Sequence, residues 1–174
     1  MNVIVPRVAA LPAAMELLDR LRDQHGSLMM HQSGGCCDGS SPMCYPQGEF
    51  VVGDREILLG VLDLRLFPGQ TRPDAPDDAD GVPVWISAPQ FDAWKHTQLV
   101  LDVVPGRGAG FSLEGPEGVR FLTRSRVFND AELRALEEQP VLTGADWEAG
   151  ARPPAATHPQ VVTDVADACA IPGG

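Results

Sequence analysis

Apolar residues first recur at the spacing of one helical face: Ala14, Leu17, Leu18 and Leu21 stand at i, i+3, i+4 and i+7. Pro12 sits where a first helical turn tolerates it. Asp19, Arg20, Arg22 and Asp23 fall on the wet side, and Gly26 can take the left-handed conformation that closes a helix. An amphipathic helix is expected here, with Leu28 to Gln32 following as a short buried strand. Farther on, Phe50-Val51-Val52, a Gly53-Asp54 bend and the apolar run from Ile57 to Leu62 predict a hairpin. Val82-Pro83-Val84-Trp85-Ile86 is a strand, after which Ser87 can cap a short helix or turn carrying Phe91, Trp94 and His96. Leu99, Leu101 and Val103 alternate with Val100, Asp102 and Val104, the period of a mostly buried strand. Phe111-Ser112-Leu113-Glu114 and Val119-Arg120-Phe121-Leu122-Thr123, joined by Gly115-Pro116-Glu117-Gly118, predict a second hairpin. Asn129 or Asp130 can cap a final short helix containing Leu133 and Leu136.

These elements predict a strand-rich α+β fold with the N-terminal amphipathic helix packed on the strands. One globular domain is expected over residues 1–139. Residues 140–174, with Pro153-Pro154-Ala155-Ala156 and Pro172-Gly173-Gly174, read as a Pro/Ala/Gly-rich extension whose large apolar anchor is Trp147. It would dock on this domain or on a partner. Two intervening stretches invite a chemical reading and do not support one. The aspartates of 74–80 lack the alternating register of a calcium loop. The glycines of 105–110 lack the Lys-Ser/Thr of a P-loop and precede an expected strand, so no helix dipole faces them.

The 18 Gly and 16 Pro among 174 residues favour turns and loops over helix. Thirteen basic side chains against 24 acidic ones leave a formal charge of −11, which repels nucleic acid and anionic headgroups. No window approaches the roughly 18 to 20 apolar residues that span a bilayer. The first 18 residues carry Pro6, Pro12 and a single cation before Glu16, unlike a secretory leader. A cytoplasmic protein is expected, and in a reducing cytoplasm clustered cysteines read as metal ligands or redox thiols.

Three of the four cysteines lie close together. After Leu28-Met29-Met30, the chain reads His31-Gln32-Ser33-Gly34-Gly35-Cys36-Cys37-Asp38-Gly39-Ser40-Ser41-Pro42-Met43-Cys44. Thiolates bind zinc, copper(I) and iron-sulfur clusters, and a glycine turn lets backbone amides approach the sulfurs. Adjacent cysteines tend to diverge, so Cys36 or Cys37 pairs more comfortably with Cys44, and His31 is a further candidate ligand. The spacing matches no zinc ribbon or Cys-x-x-Cys knuckle. Two other readings compete: a demanding loop with small buried cysteines, and a redox pair at Cys36 and Cys37. Asp38 more readily closes the turn through its own backbone than acts as a base. Cys169, alone in the extension, stands apart.

Ser33-Gly34-Gly35-Cys36-Cys37-Asp38-Gly39-Ser40 together with Gly110-Phe111-Ser112-Leu113-Glu114 resembles a small bacterial family of unknown function whose genes often lie beside those of NAD-dependent aldehyde dehydrogenases. The likeness covers roughly residues 8 to 128. It implies an accessory protein for aldehyde oxidation. A more distant likeness is to the A-type iron-sulfur carriers, in which an amphipathic helix precedes a strand and a Gly-Cys-x-Gly-like turn, here Gly35-Cys36-Cys37-Asp38-Gly39. It implies a compact mixed β structure with a helix packed on it. The carriers' C-terminal Cys-x-Cys is absent, so the fold can carry over without cluster transfer.

The expectation is therefore a non-catalytic, metal- or thiol-handling accessory protein for an aldehyde dehydrogenase. Its zinc, iron or copper ligands would be Cys36, Cys37, Cys44 and His31, local to one chain or completed across a homodimer. The alternative is a redox protein or enzyme in which Cys36 or Cys37 is a reactive thiolate that cycles through a disulfide or traps aldehyde. A third reading is a binding module that grips a partner through the extension and Trp147.

Overall fold

The computed structural model of the chain describes residues 3–32, 41–107 and 111–165. The first helix, α1, spans Pro12–His25 and ends where Gly26, at φ 82°, donates its N–H to the Arg22 carbonyl. It buries Ala14, Met15, Leu17, Leu18 and Leu21. A three-residue strand, β1 (Val8–Ala10), precedes it, and β2 (Leu28–Gln32) follows it with all five residues buried. The expected helix and strand are thus present, and β1 is added to them.

β3 (Met43–Pro46) returns antiparallel along β2, with Met30 opposite Cys44 and His31 opposite Met43. β4 spans Ile57–Asp63 and β5 spans Gly81–Ile86. The short helix α2 (Ala88–Trp94) starts after Ser87, whose side chain makes no capping bond, and leads into β6 (Thr97–Pro105). β7 (Val119–Val127), α3 (Asp130–Glu138) and α4 (Gly144–Glu148) complete the named strands and α-helices among the described residues.

The strands form two mixed sheets, one ordered β1-β6-β7 and the other β3-β2-β5-β4. β1 runs parallel to β6, and β2 runs parallel to β5. The chain therefore contains two units of the same pattern, β1-α1-β2-β3 and β5-α2-β6-β7, that have exchanged first strands: β1 completes the hairpin of the second unit, and β5 that of the first. α1 packs against β2 and β6, one from each sheet. The largest apolar cluster draws on both sheets, from Val8 and Met30 through Val84 to Leu101 and Phe121.

Neither expected hairpin forms. Phe50 and Val52 lie outside any strand and pack as side chains beside Met29, Leu58 and Trp85. The Gly53-Asp54 bend instead receives α4: Ala145 N–H donates to the Asp54 carbonyl and Gly144 N–H to the Glu56 carbonyl. β4, freed from a local partner, pairs with β5. In the second case β6 pairs with β7 along its whole length, from Thr97 opposite Val127 to Pro105 opposite Val119. Ser112 to Glu114 then belong to the connection, which ends in a single 3-10 turn at Gly115–Glu117.

Residues 140–165 lie back on the domain. Leu58 N–H donates to the Leu142 carbonyl, Val161 bridges to Ala10, and the Trp147 ring meets Trp85 edge to face at 5.7 Å. No helix among the described residues is long and apolar enough to cross a membrane.

Candidate functional site

Because each unit ends in an antiparallel pair, each has a hairpin connection: 33–42 between β2 and β3, and 106–118 between β6 and β7. The first carries Cys36 and Cys37, which lie outside the described residues, and the second carries Ser112 and Glu114. The described flanks of the two connections are bonded to each other. Cys44 N–H donates to Ser112 Oγ at 2.9 Å, and Leu113 N–H donates to the Cys44 carbonyl at 3.1 Å. Arg120 Nη1 donates to Ser41 Oγ at 2.7 Å.

Beneath this meeting lies a buried polar group. Thr123 Oγ1 donates to Gln32 Oε1 at 2.8 Å, joining the end of β2 to β7. Ser112 Oγ, having accepted from Cys44, donates to Glu114 Oε2. Glu114 is fully buried, and its other oxygen, Oε1, has no hydrogen-bond partner among the described residues. Burial pushes the Glu114 carboxyl above its ordinary range, against the opposing pull of the Ser112 hydroxyl.

His31 and Cys44 stand on opposite faces of the same sheet. Cys44 shares the face of its opposite number Met30, in the main core. Burial, and secondarily Glu114, pushes its thiol far up, so it remains protonated at neutral pH. His31, one position along β2, faces the other way. Its ring lies 4.7 Å from Phe50, and its Nε2 stands 3.3 Å from Glu56 Oε2. The approach of Glu56 to the ring is a charge contact and not a hydrogen bond. The fold thus does not bring His31 and Cys44 together on one face of the sheet. Among the described residues no three His, Cys, Asp or Glu side chains converge as a ligand set.

Sequence reading singled out His31 and Cys44 and missed Gln32, Glu56, Ser112, Glu114 and Thr123. The signal for Glu114 was present but inverted. In Phe111-Ser112-Leu113-Glu114 the alternation predicts apolar side chains inward, yet Phe111 is 91% exposed and Glu114 0%. Only the meeting of the two connections explains why the polar residues turn in.

Among the described residues, two mixed sheets, four α-helices and a polar group at the hairpin ends define a strand-rich α+β protein. A family model described as a domain of unknown function, DUF779, matches residues 17–127, from within α1 to the last residue of β7. The chain belongs to this family. Neither a curated protein nor a solved structure matches it.

Proposed function

We propose that this protein is a non-catalytic metal- or thiol-handling accessory protein whose working end is the meeting of the two hairpin connections. One observation carries the reading: the described flanks of the cysteine connection are hydrogen-bonded to the connection that buries Glu114 with an open oxygen. Thiols must lose protons to bind a metal or to exchange. A carboxyl held above its ordinary range is suited to take one up. In this reading Cys36 and Cys37 supply the thiolates and His31, which lies beside Glu56, is the borderline ligand. Cys44 stays out of the set as a core residue bonded through its backbone. A metal held there would supply soft-ligand binding, and the absence of a C-terminal Cys-x-Cys leaves cluster transfer outside the proposal. The A-type carrier likeness rests on element order alone, and the proposed partner, an aldehyde dehydrogenase, rests on the sequence resemblance.

Elemental analysis and absorbance spectra of the full chain, purified anaerobically without added metal, test the reading. The expected result is bound zinc, iron or copper, lost in the Cys36→Ser, Cys37→Ser double variant and retained in Cys44→Ala. Metal-free protein, with dehydrogenase activity indifferent to the double variant, would overturn it. Metal-free protein whose Cys36 or Cys37 alkylates rapidly well below the ordinary thiol range of about 8.5 would move the assignment to the reactive-thiolate reading.

A further inference from the structure

A groove runs between the N-terminal segment, β4, the loop of 71–78 and the returning chain of 139–160. Its cavity volume is about 100 Å³, and Val5, Val8, Leu58, Val61, Leu142 and Trp147 give it apolar walls. Small-molecule sites are concave and mostly apolar in this way, with few polar groups turned inward.

The charged side chains of the lining are engaged elsewhere. Both Asp63 oxygens accept from Arg65, Oδ1 from Nε at 2.9 Å and Oδ2 from Nη2 at 2.8 Å. Asp77 Oδ1 accepts from the backbone N–H groups of Ala79 and Asp80. Arg152 lies 3.5 Å from the centre of the Trp147 ring and 3.9 Å from Asp78, and Arg72 stands 3.5 Å from Asp74. Arg7 contributes to the wall, but its guanidinium lies over the Phe91 ring and reaches the Leu136 carbonyl, and neither residue lines the groove. The two side-chain amides of the lining are spent as well. Gln139 donates to the Val5 carbonyl and accepts from Val5 N–H, and Gln160 donates to the Val61 carbonyl and accepts from Asp63 N–H. His158 shares a hydrogen bond with Thr157.

An ion entering such a groove gives up its hydration for little in return, because the charges around it are paired or turned to other partners. Water fares little better, since a buried water needs two to four polar partners. An apolar molecule meets neither cost and gains dispersion contacts with walls on several sides. We propose that this groove binds a small, uncharged and largely apolar organic molecule. The size follows from the volume: an apolar cavity of about 150 Å³ holds benzene, so this one takes about four to six non-hydrogen atoms. The inference does not depend on the thiols. Much of the wall, in the N-terminal segment and 139–160, lies outside the matched residues 17–127.

Methyl-resolved NMR titration of the full chain with isobutanol, isobutyrate and isobutylamine at neutral pH tests it. Isobutanol shifts the Val5, Val8, Val61 and Leu142 methyl signals saturably, and the two ions, of similar shape but charged, bind at least about tenfold more weakly. Ala155→Phe, which enlarges a wall residue, weakens isobutanol binding by a similar factor while its circular dichroism stays unchanged. The comparison of the three compounds on the wild-type protein decides the matter even if that variant fails to fold. No saturable shift, saturation only at methyls elsewhere, either ion binding as tightly as isobutanol, or unchanged affinity in the folded variant would overturn the proposal.

Discussion

Burial holds the Glu114 carboxyl above its ordinary range, so the folded protein binds that proton more tightly than the unfolded chain does. The associated stability is fully present below the unfolded carboxylate value and is lost as pH rises through the folded one. Glu114→Gln removes this titration and can still accept from Ser112. The variant and the wild type should differ least near pH 4, and the variant should gain relative stability toward pH 8. Thermal melts across that range check it, and a constant gap would mean that Glu114 does not titrate there. Cys44 behaves differently, because its thiol is kept neutral in an apolar setting. Cys44→Ser places a hydroxyl there and should cost about 1–3 kcal/mol in urea unfolding, while leaving any bound metal in place.

Among the elements, α3 and α4 each start on a reciprocal capping box. Asn129 Oδ1 accepts from Glu132 N–H, and Glu132 Oε1 accepts from Asn129 N–H. The same Glu132 carboxylate, fully buried, takes two bonds from Arg126, at 3.0 and 2.6 Å. Asn129→Ala should therefore cost about 1 kcal/mol, the worth of a cap. Glu132→Ala should cost about 3 kcal/mol or more, because it also strands the largely buried Arg126. Equal losses in denaturant unfolding would show that the ion pair adds nothing beyond the cap. At the start of α4 a Cβ on Gly144 would overlap the Gly53 carbonyl oxygen. Gly144→Ala should thus loosen α4 from the Gly53-Asp54 bend and lower the melting temperature.

α1, α2 and α3 were legible because their signals are local, whereas α4, with its Thr143 and Asp146 capping box, lies in the stretch that was read as an extension. The i, i+3, i+4 stripe of α1, the Gly26 stop and the Asn129 cap all act within a few residues. Strand partners were not. The Ile57 run was readable as a strand, but its choice of β5 over the nearer Phe50 segment depends on α4 arriving at the bend from far along the chain. β1 is only three residues long and exists through its pairing with β6. Of the candidate site, Cys36 and Cys37 were singled out from the sequence and lie outside the described residues. The buried acid was not singled out, because Glu114 turns inward only where the 106–118 connection meets β3.

For the whole molecule, the returning chain of 140–165 acts on both sheets. It bridges β1 through Val161, bonds β4 through Leu142 and covers Trp85 with Trp147. A chain ending at residue 139 loses all three contacts and should melt at a clearly lower temperature. An unchanged melt would mean that this segment rests on a domain already complete without it.

The exchange of first strands between the two units places each hairpin beside a strand that its own unit does not supply. Neither half, expressed alone, has a finished sheet to collapse onto. Severed in the aspartate-bearing loop between β4 and β5, the two pieces would each be an incomplete lock for which the other is the key. Made together in one cell, they should find each other and copurify, while either made singly should go to the insoluble fraction.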